Sequence, residues 1–102
     1  MKIVEYVVIF DDGVRKRHCH KSERGKILEF VVQLEVRIDD VWYPIVRYDC
    51  AHKSTHIDYY DLSGRKSKME LHLEFNEALI VADDDIRENW DKYLKDFLKG
   101  RQ

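Results

Sequence analysis

Between Leu28 and Ile38 the chain alternates apolar and polar residues almost without a break. Leu28, Phe30, Val32, Leu34, Val36 and Ile38 fall on one side; Glu29, Gln33, Glu35 and Arg37 fall on the other, with Val31 the exception. Successive side chains of a strand point to opposite faces, so this pattern predicts a long strand with one buried face. A helix of the same stretch would scatter its apolar groups around the axis. The chain must therefore build a sheet and something to cover it.

Its neighbours supply the sheet. Ile3 to Phe10 is rich in Val and Ile and stops at Asp11-Asp12-Gly13, a turn signal. Val14 to Lys21 returns with few apolar residues, which predicts an exposed or edge strand. Asp39-Asp40 marks a short hairpin turn into Val41 to Asp49, where Pro44 removes one ladder donor. Thr55 to Asp61 follows a loop at Ala51 to Ser54. Leu62-Ser63-Gly64 reads as a three-residue hairpin loop with Gly64 at the position needing positive φ. Lys68 to Glu74 alternates again, with Met69, Leu71 and Leu73 inward.

After Phe75 the period changes. Asn76 to Ala82 predicts a short helical turn. From Asp83 the residues Ile86, Trp90, Tyr93, Leu94, Phe97 and Leu98 share one helical face. Asp83, Asp84 and Asp85 are placed to cap that helix, Asp85 with Glu88 has capping-box spacing, and Gly100 stops it. The fold class is α+β: an antiparallel meander sheet of about six strands with a C-terminal amphipathic helix on one face. Trp90, Tyr93, Leu94 and Phe97 are expected to pack on Leu28, Phe30, Val32 and Leu71. At 102 residues the chain has room for one domain, spanning 1–102.

Charge and cysteine content narrow the class. Eighteen Lys and Arg face twenty Asp and Glu, so no global basic field exists to hold nucleic acid. Binding to a polyanion would need a local patch, and Arg15 to Lys26 offers one: six basic residues against the single acid Glu23, a local charge of +5. Its other reading is a charged edge strand protected from aggregation. The apolar runs at Tyr6 to Phe10 and Ala78 to Ala82 are far shorter than the roughly 20 residues that span a bilayer. No export signal is evident at the start. The expectation is a cytoplasmic protein without membrane association, with Cys19 and Cys50 as free thiols.

Two constellations carry chemistry. His18-Cys19-His20 with Cys50, His52 and His56 holds zinc-type ligands, but no finger spacing and no Cys-x-x-Cys. Cys19 would also point away from both histidines on a strand. The expectation is no metal. The second constellation is Arg47-Tyr48-Asp49-Cys50-Ala51-His52 followed by His56 and Asp58. A two-residue turn at Asp39-Asp40 sets Arg47 opposite Val32 and Asp49 opposite Phe30, which would end an apolar face in two charges. A one-residue bulge, which Pro44 permits, would turn both the other way. His56 and Asp58 lie two apart, so a carboxylate there is placed to orient the imidazole. The competing reading is a polar network that pins the hairpin.

The block Arg47-Tyr48-Asp49-Cys50-Ala51-His52 with His56 resembles the Arg-Tyr-Asp-Asn-Ala-His motif and downstream His of TumE-type proteins, small toxins encoded beside helix-turn-helix antitoxins. The resemblance covers residues 41–74; Cys50 takes the place of an Asn, and Asp58 that of a further His. It implies a toxin or toxin-derived protein that cleaves RNA without metal or cofactor, with a helix-turn-helix antitoxin as partner. Within that reading His52 and His56 are base and acid, and Arg47 stabilises charge on the phosphate. Asp49 or Asp58 fixes a histidine tautomer, and Tyr48 or Tyr59 adds a hydrogen bond. Arg15, Arg17, Lys21 and Lys53 hold the RNA backbone. The alternative is a non-enzymatic interaction module. Oligomeric state stays open.

Overall fold

A computed structural model describes residues 1–51 and 53–100. Six strands follow one another in chain order: β1 (Lys2–Asp11), β2 (Val14–Glu23), β3 (Lys26–Ile38), β4 (Val41–Ala51), β5 (Ser54–Tyr60) and β6 (Lys66–Glu70). Each pairs antiparallel with its sequence neighbours, so the sheet is a pure meander. One helix, α1 (Phe75–Leu98), lies across it. This is the α+β architecture that the periodicities predict.

The turns explain the short connections. Asp39 and Asp40 both have positive φ, at 51° and 64°. That is the backbone of a type I′ turn, whose twist matches the flanking strands. Gly64 sits at φ 88° and closes the three-residue loop between β5 and β6. Asp61 fastens that loop, accepting from Ser63 Oγ at 2.5 Å and from the Arg65 N–H at 3.0 Å.

The core lies between α1 and one sheet face. Phe30, Val32, Leu34 and Val36 of β3 are buried there with Ile45, Val46 and Tyr48 of β4, and Ile57 of β5. The helix contributes Ala78, Leu79, Ala82, Ile86 and Phe97. Tyr93 and Leu94 pack at its margin, and Trp90 is half-buried with its ring stacked on Phe10 at 5.5 Å. The opposite sheet face has no helix over it.

Four expectations need correction. First, β2 is not an edge strand: β1 covers its outer side, and the edges are β1 and β6. Lys16 and His18 of β2 are buried. Second, the helix does not begin at Asp83. It runs unbroken from Phe75, because Ala78, Leu79 and Ala82 are buried in its first turns. Asp83 and Asp85 therefore sit mid-helix and bond to sheet side chains instead of capping. The helix start is held from outside: Asn76 donates to the Gly25 carbonyl at 2.9 Å and accepts from the Ile27 N–H at 3.0 Å.

Third, Leu28 leaves the core and is 44% exposed. The β2–β3 register passes from Lys21↔Glu29 to Ser22↔Ile27, so Leu28 is an extra residue and Ile27 packs in its stead. Fourth, β6 ends at Glu70, and Met69 within it is exposed. Leu71 and Leu73 do pack against the core as expected, and beyond the strand they bond to Thr55, through its backbone carbonyl and its hydroxyl respectively. Of the two registers open for β4, the bulged one is realised: Arg47 stands opposite Gln33 and Asp49 opposite Val31. The β3–β4 register steps from Leu34↔Val46 to Glu35↔Pro44, leaving Ile45 as a bulge residue. Both Ile45 and Val46 are buried, and Arg47 and Asp49 turn to the uncovered face.

Two outcomes follow from this packing. Phe97→Ala, which empties a fully enclosed site, should cost about 3–5 kcal/mol in urea unfolding, and Trp90→Ala distinctly less because that ring is half-buried. Cys19 and Cys50 are both free, so titration of the denatured, unreduced protein should find two thiols per chain.

Candidate functional site

The uncovered face carries a polar chain that crosses four strands. Arg15 and Arg17 of β2 donate to the two oxygens of Glu35 at 2.8 and 2.9 Å. Gln33 donates to the same carboxylate at 2.5 Å. Arg47 of β4 donates to Gln33 Oε1 at 3.1 Å and, through Nε, to Asp49 Oδ2 at 2.9 Å. The other oxygen of Asp49 lies 3.8 Å from His56 Nε2 on β5, too far for a hydrogen bond. Strand pairing sets this order, since Gln33 faces Arg47 across β3–β4 and Asp49 faces His56 across β4–β5.

The energetics differ along the chain. The Glu35 side chain is 5% exposed, so its charge relies on Arg15, Arg17 and Gln33 in place of water. Arg15 is further fixed by stacking on Trp42, 3.7 Å from the ring centre. Towards β5 the satisfaction fails. His56 Nε2 and Asp58 Oδ1 are buried with no hydrogen-bond partner among the described residues. Such a group costs about 1–3 kcal/mol. Tyr60 continues this face, and burial raises its phenol pKa first, then the charge of Asp58; Arg47 acts in the opposite direction.

The surface is accessible. Arg17 is 52% exposed and Arg47 34%. Together with Glu5, Cys19 and Val31 they line a shallow depression of about 530 Å³. A smaller one of about 260 Å³ adjoins it, bordered by Arg47, Asp49 and Ala51.

The structure brings together Arg47, Asp49, His56 and Asp58 on one face, with Arg15 and Arg17 beside them. His52 lies outside the described residues. Lys21 is on the same face but engaged with Glu29 at 2.9 Å. Lys53 stands apart, in a depression lined with Lys26, His72 and Asn76. Alternation has split the basic stretch between two faces, and acids of β3 and α1 match much of its charge. The carboxylate nearest His56 is Asp49 on the neighbouring strand. Asp58, two residues along, leaves Oδ1 without a partner among the described residues. Tyr48 and Tyr59 belong to the other face: Tyr48 donates to Asp85 at 2.5 Å, and Tyr59 packs on Tyr93. Among the described residues no three His, Cys, Asp or Glu side chains converge on a metal position.

Gln33 and Glu35 are the members that sequence reasoning missed. Their sign was present, as the polar face of the most regular strand, but alternation alone reads that face as solvated. Under the helix a second polar group was missed too. Asp85 accepts from Tyr48, Tyr93 and Asn89, and burial followed by the Asp85 hydrogen bond raises both phenol pKa values strongly.

A six-stranded antiparallel meander with one helix on one face and an ionic network on the other defines the class of protein. The chain belongs to the family described as Domain of unknown function (DUF7718), whose match spans residues 1–102. No curated protein and no solved structure matches it.

Glu35→Gln should lower stability by about 1–3 kcal/mol in urea unfolding, because two guanidiniums lose their shared charge. Lys21→Ala removes an exposed ion pair and should leave the midpoint unmoved.

Proposed function

We propose that this protein is a TumE-like toxin or toxin-derived protein that acts in the cytoplasm on RNA, cleaving it by metal-independent acid–base chemistry on the uncovered sheet face. The observation that carries this reading is the placement of Arg47, Asp49 and His56 on adjoining strands, with His56 Nε2 buried and without a partner among the described residues. An imidazole beside a carboxylate is suited to proton transfer, and its enclosed, unsatisfied nitrogen meets a ligand once the side chains over it move aside. Arg47 offers a planar donor fork for a phosphate, and Arg17 extends that charge along the depression. His52 is the second proton-transfer group of this reading.

No helix of the described residues is long and apolar enough to cross a bilayer. A second reading, an interaction module, draws on β1. This ten-residue strand is a sheet edge with Ile3, Val7 and Ile9 exposed. An open edge of that kind accepts an added strand from a protein partner, and a helix-turn-helix antitoxin is the partner that the TumE resemblance implies.

Expression of the intact chain should slow bacterial growth, and the purified protein should degrade total RNA in the presence of EDTA. His56→Ala should reduce cleavage by about 10²–10⁴-fold with the circular dichroism spectrum unchanged. Arg47→Lys should be damaging as well, since an ammonium cannot reproduce the planar fork. Undiminished cleavage in His56→Ala, or cleavage abolished by EDTA, would overturn the mechanism. Absence of both toxicity and cleavage would favour the interaction module.

A further inference from the structure

On the opposite side of the sheet a second set of proton-transfer groups lies between β1, β2 and α1. Asp83, on the helix, accepts from Lys16 Nζ at 2.8 Å and contacts His18 Nδ1 at 3.0 Å. His18 Nε2 in turn lies 2.6 Å from His20 Nδ1. Tyr6 stacks on His18 with ring centres 4.4 Å apart, closing the His18 ring in. The His18 side chain is 3% exposed, whereas His20 is only half-buried.

The protons on this line follow from the carboxylate. Asp83 accepts at this contact, so His18 presents N–H at Nδ1, and a neutral His18 then has a bare Nε2. That bare nitrogen accepts from His20 Nδ1–H, which leaves His20 Nε2 as the lone-pair nitrogen. The Lys16 ammonium matches the charge of Asp83, so the group is balanced with both imidazoles neutral. We propose that Asp83, His18 and His20 form a relay that makes Nε2 of His20 a nucleophile toward the acyl carbon of an ester or anhydride.

The step balances. His20 Nε2 bonds to the acyl carbon while the bond from that carbon to the leaving oxygen breaks. The electron pair goes to the leaving oxygen. The proton on His20 Nδ1 moves to His18 Nε2, and the resulting imidazolium is held by Asp83. Solvent returns that proton to the leaving oxygen, so imidazole and ester give N-acyl imidazole and alcohol. Water then releases the acid and restores the imidazole. Burial lowers the His20 pKa, as would any positive charge gained by the neighbouring His18, while Asp83 acts to raise it and Lys2 of β1 to lower it; Phe30, across on β3, carries no charge. His20 is therefore neutral to lower pH than an ordinary imidazole.

Diethyl pyrocarbonate, an acylating anhydride, tests this on the whole chain, with modification at each histidine followed by mass spectrometry. His72, 79% exposed, is the internal reference. His20 should react at least about tenfold faster than His72, and its rate should fall only below the ordinary imidazole range. Asp83→Asn should bring the His20 rate down to that of His72. His18→Gln should do the same, because a glutamine accepts the hydrogen bond but not the proton. In both variants the His72 rate should stay fixed. His20 reacting no faster than His72 in the unaltered protein overturns the proposal, even if neither variant folds. A His20 rate unchanged in His18→Gln overturns it as well.

Discussion

One extra residue in β4 decides what each face of this sheet does. At Ile45 the register slips by one position, so the stretch from Val46 onward is inverted relative to an unbroken hairpin. A one-residue slip moves every later side chain to the other face. Here it puts Val46 and Tyr48 under the helix and sends Arg47 and Asp49 to the uncovered side. Pro44, which has no N–H to give the ladder, stands beside the irregularity. Without the slip, two charges would sit in the core and a valine and a tyrosine would face away from it. β5 inherits the choice through its pairing with β4, so His56 and Asp58 follow Asp49 and Arg47.

Both faces are then held by acids, one of them buried and two partly so. Glu35 gathers Arg15, Arg17 and Gln33 on the uncovered face. Asp83 gathers Lys16 and His18 beneath the helix, and Asp85 gathers two tyrosines. Desolvating a carboxylate costs several kcal/mol before its partners repay it, so these contacts add less net stability than their number suggests. A helix that shifted by one residue would separate Asp83 from Lys16 and leave a buried ammonium alone. The polar pairs therefore fix how α1 sits on an apolar surface that would tolerate several positions.

The legible parts of the fold were those written in local chemistry. The strand at Leu28 to Ile38, the Asp39-Asp40 turn and the Gly64 loop each carry a signal within a few residues. The slip at Leu28 does not, and Pro44 only permits the one at Ile45, because a bulge is chosen by what packs on both faces at once. The helix start was misread for a related reason. Three aspartates in a row look like a cap, and nothing local says that Asp83 and Asp85 will meet Lys16 and Tyr48. The same partnership hid the burial of β2. Lys16 and His18 read as solvated until the helix supplies an anion. The site residues Arg47, Asp49, His56 and Asp58 were visible as a cluster of chemistry. Their common face depended on the bulge, and the place of Asp49 beside His56 on the β4–β5 pairing.

Strand alternation also separates the molecule's proton-transfer groups into two sets. His18-Cys19-His20 looks like one ligand cluster in sequence, but successive residues of β2 point to opposite sides. The two histidines join Asp83 under the helix, while Cys19 faces the ionic surface, with its thiol 3.6 Å from Glu5. Burial and that carboxylate raise the Cys19 pKa, which keeps the thiol protonated beside Arg17. The sheet thus forms a wall one backbone thick between an imidazole pair on one side and the Arg47–Asp49–His56 group on the other. No proton path of direct hydrogen bonds among the described residues links them. Each face has its own histidine beside its own carboxylate, and the two groups share no polar contact among the described residues.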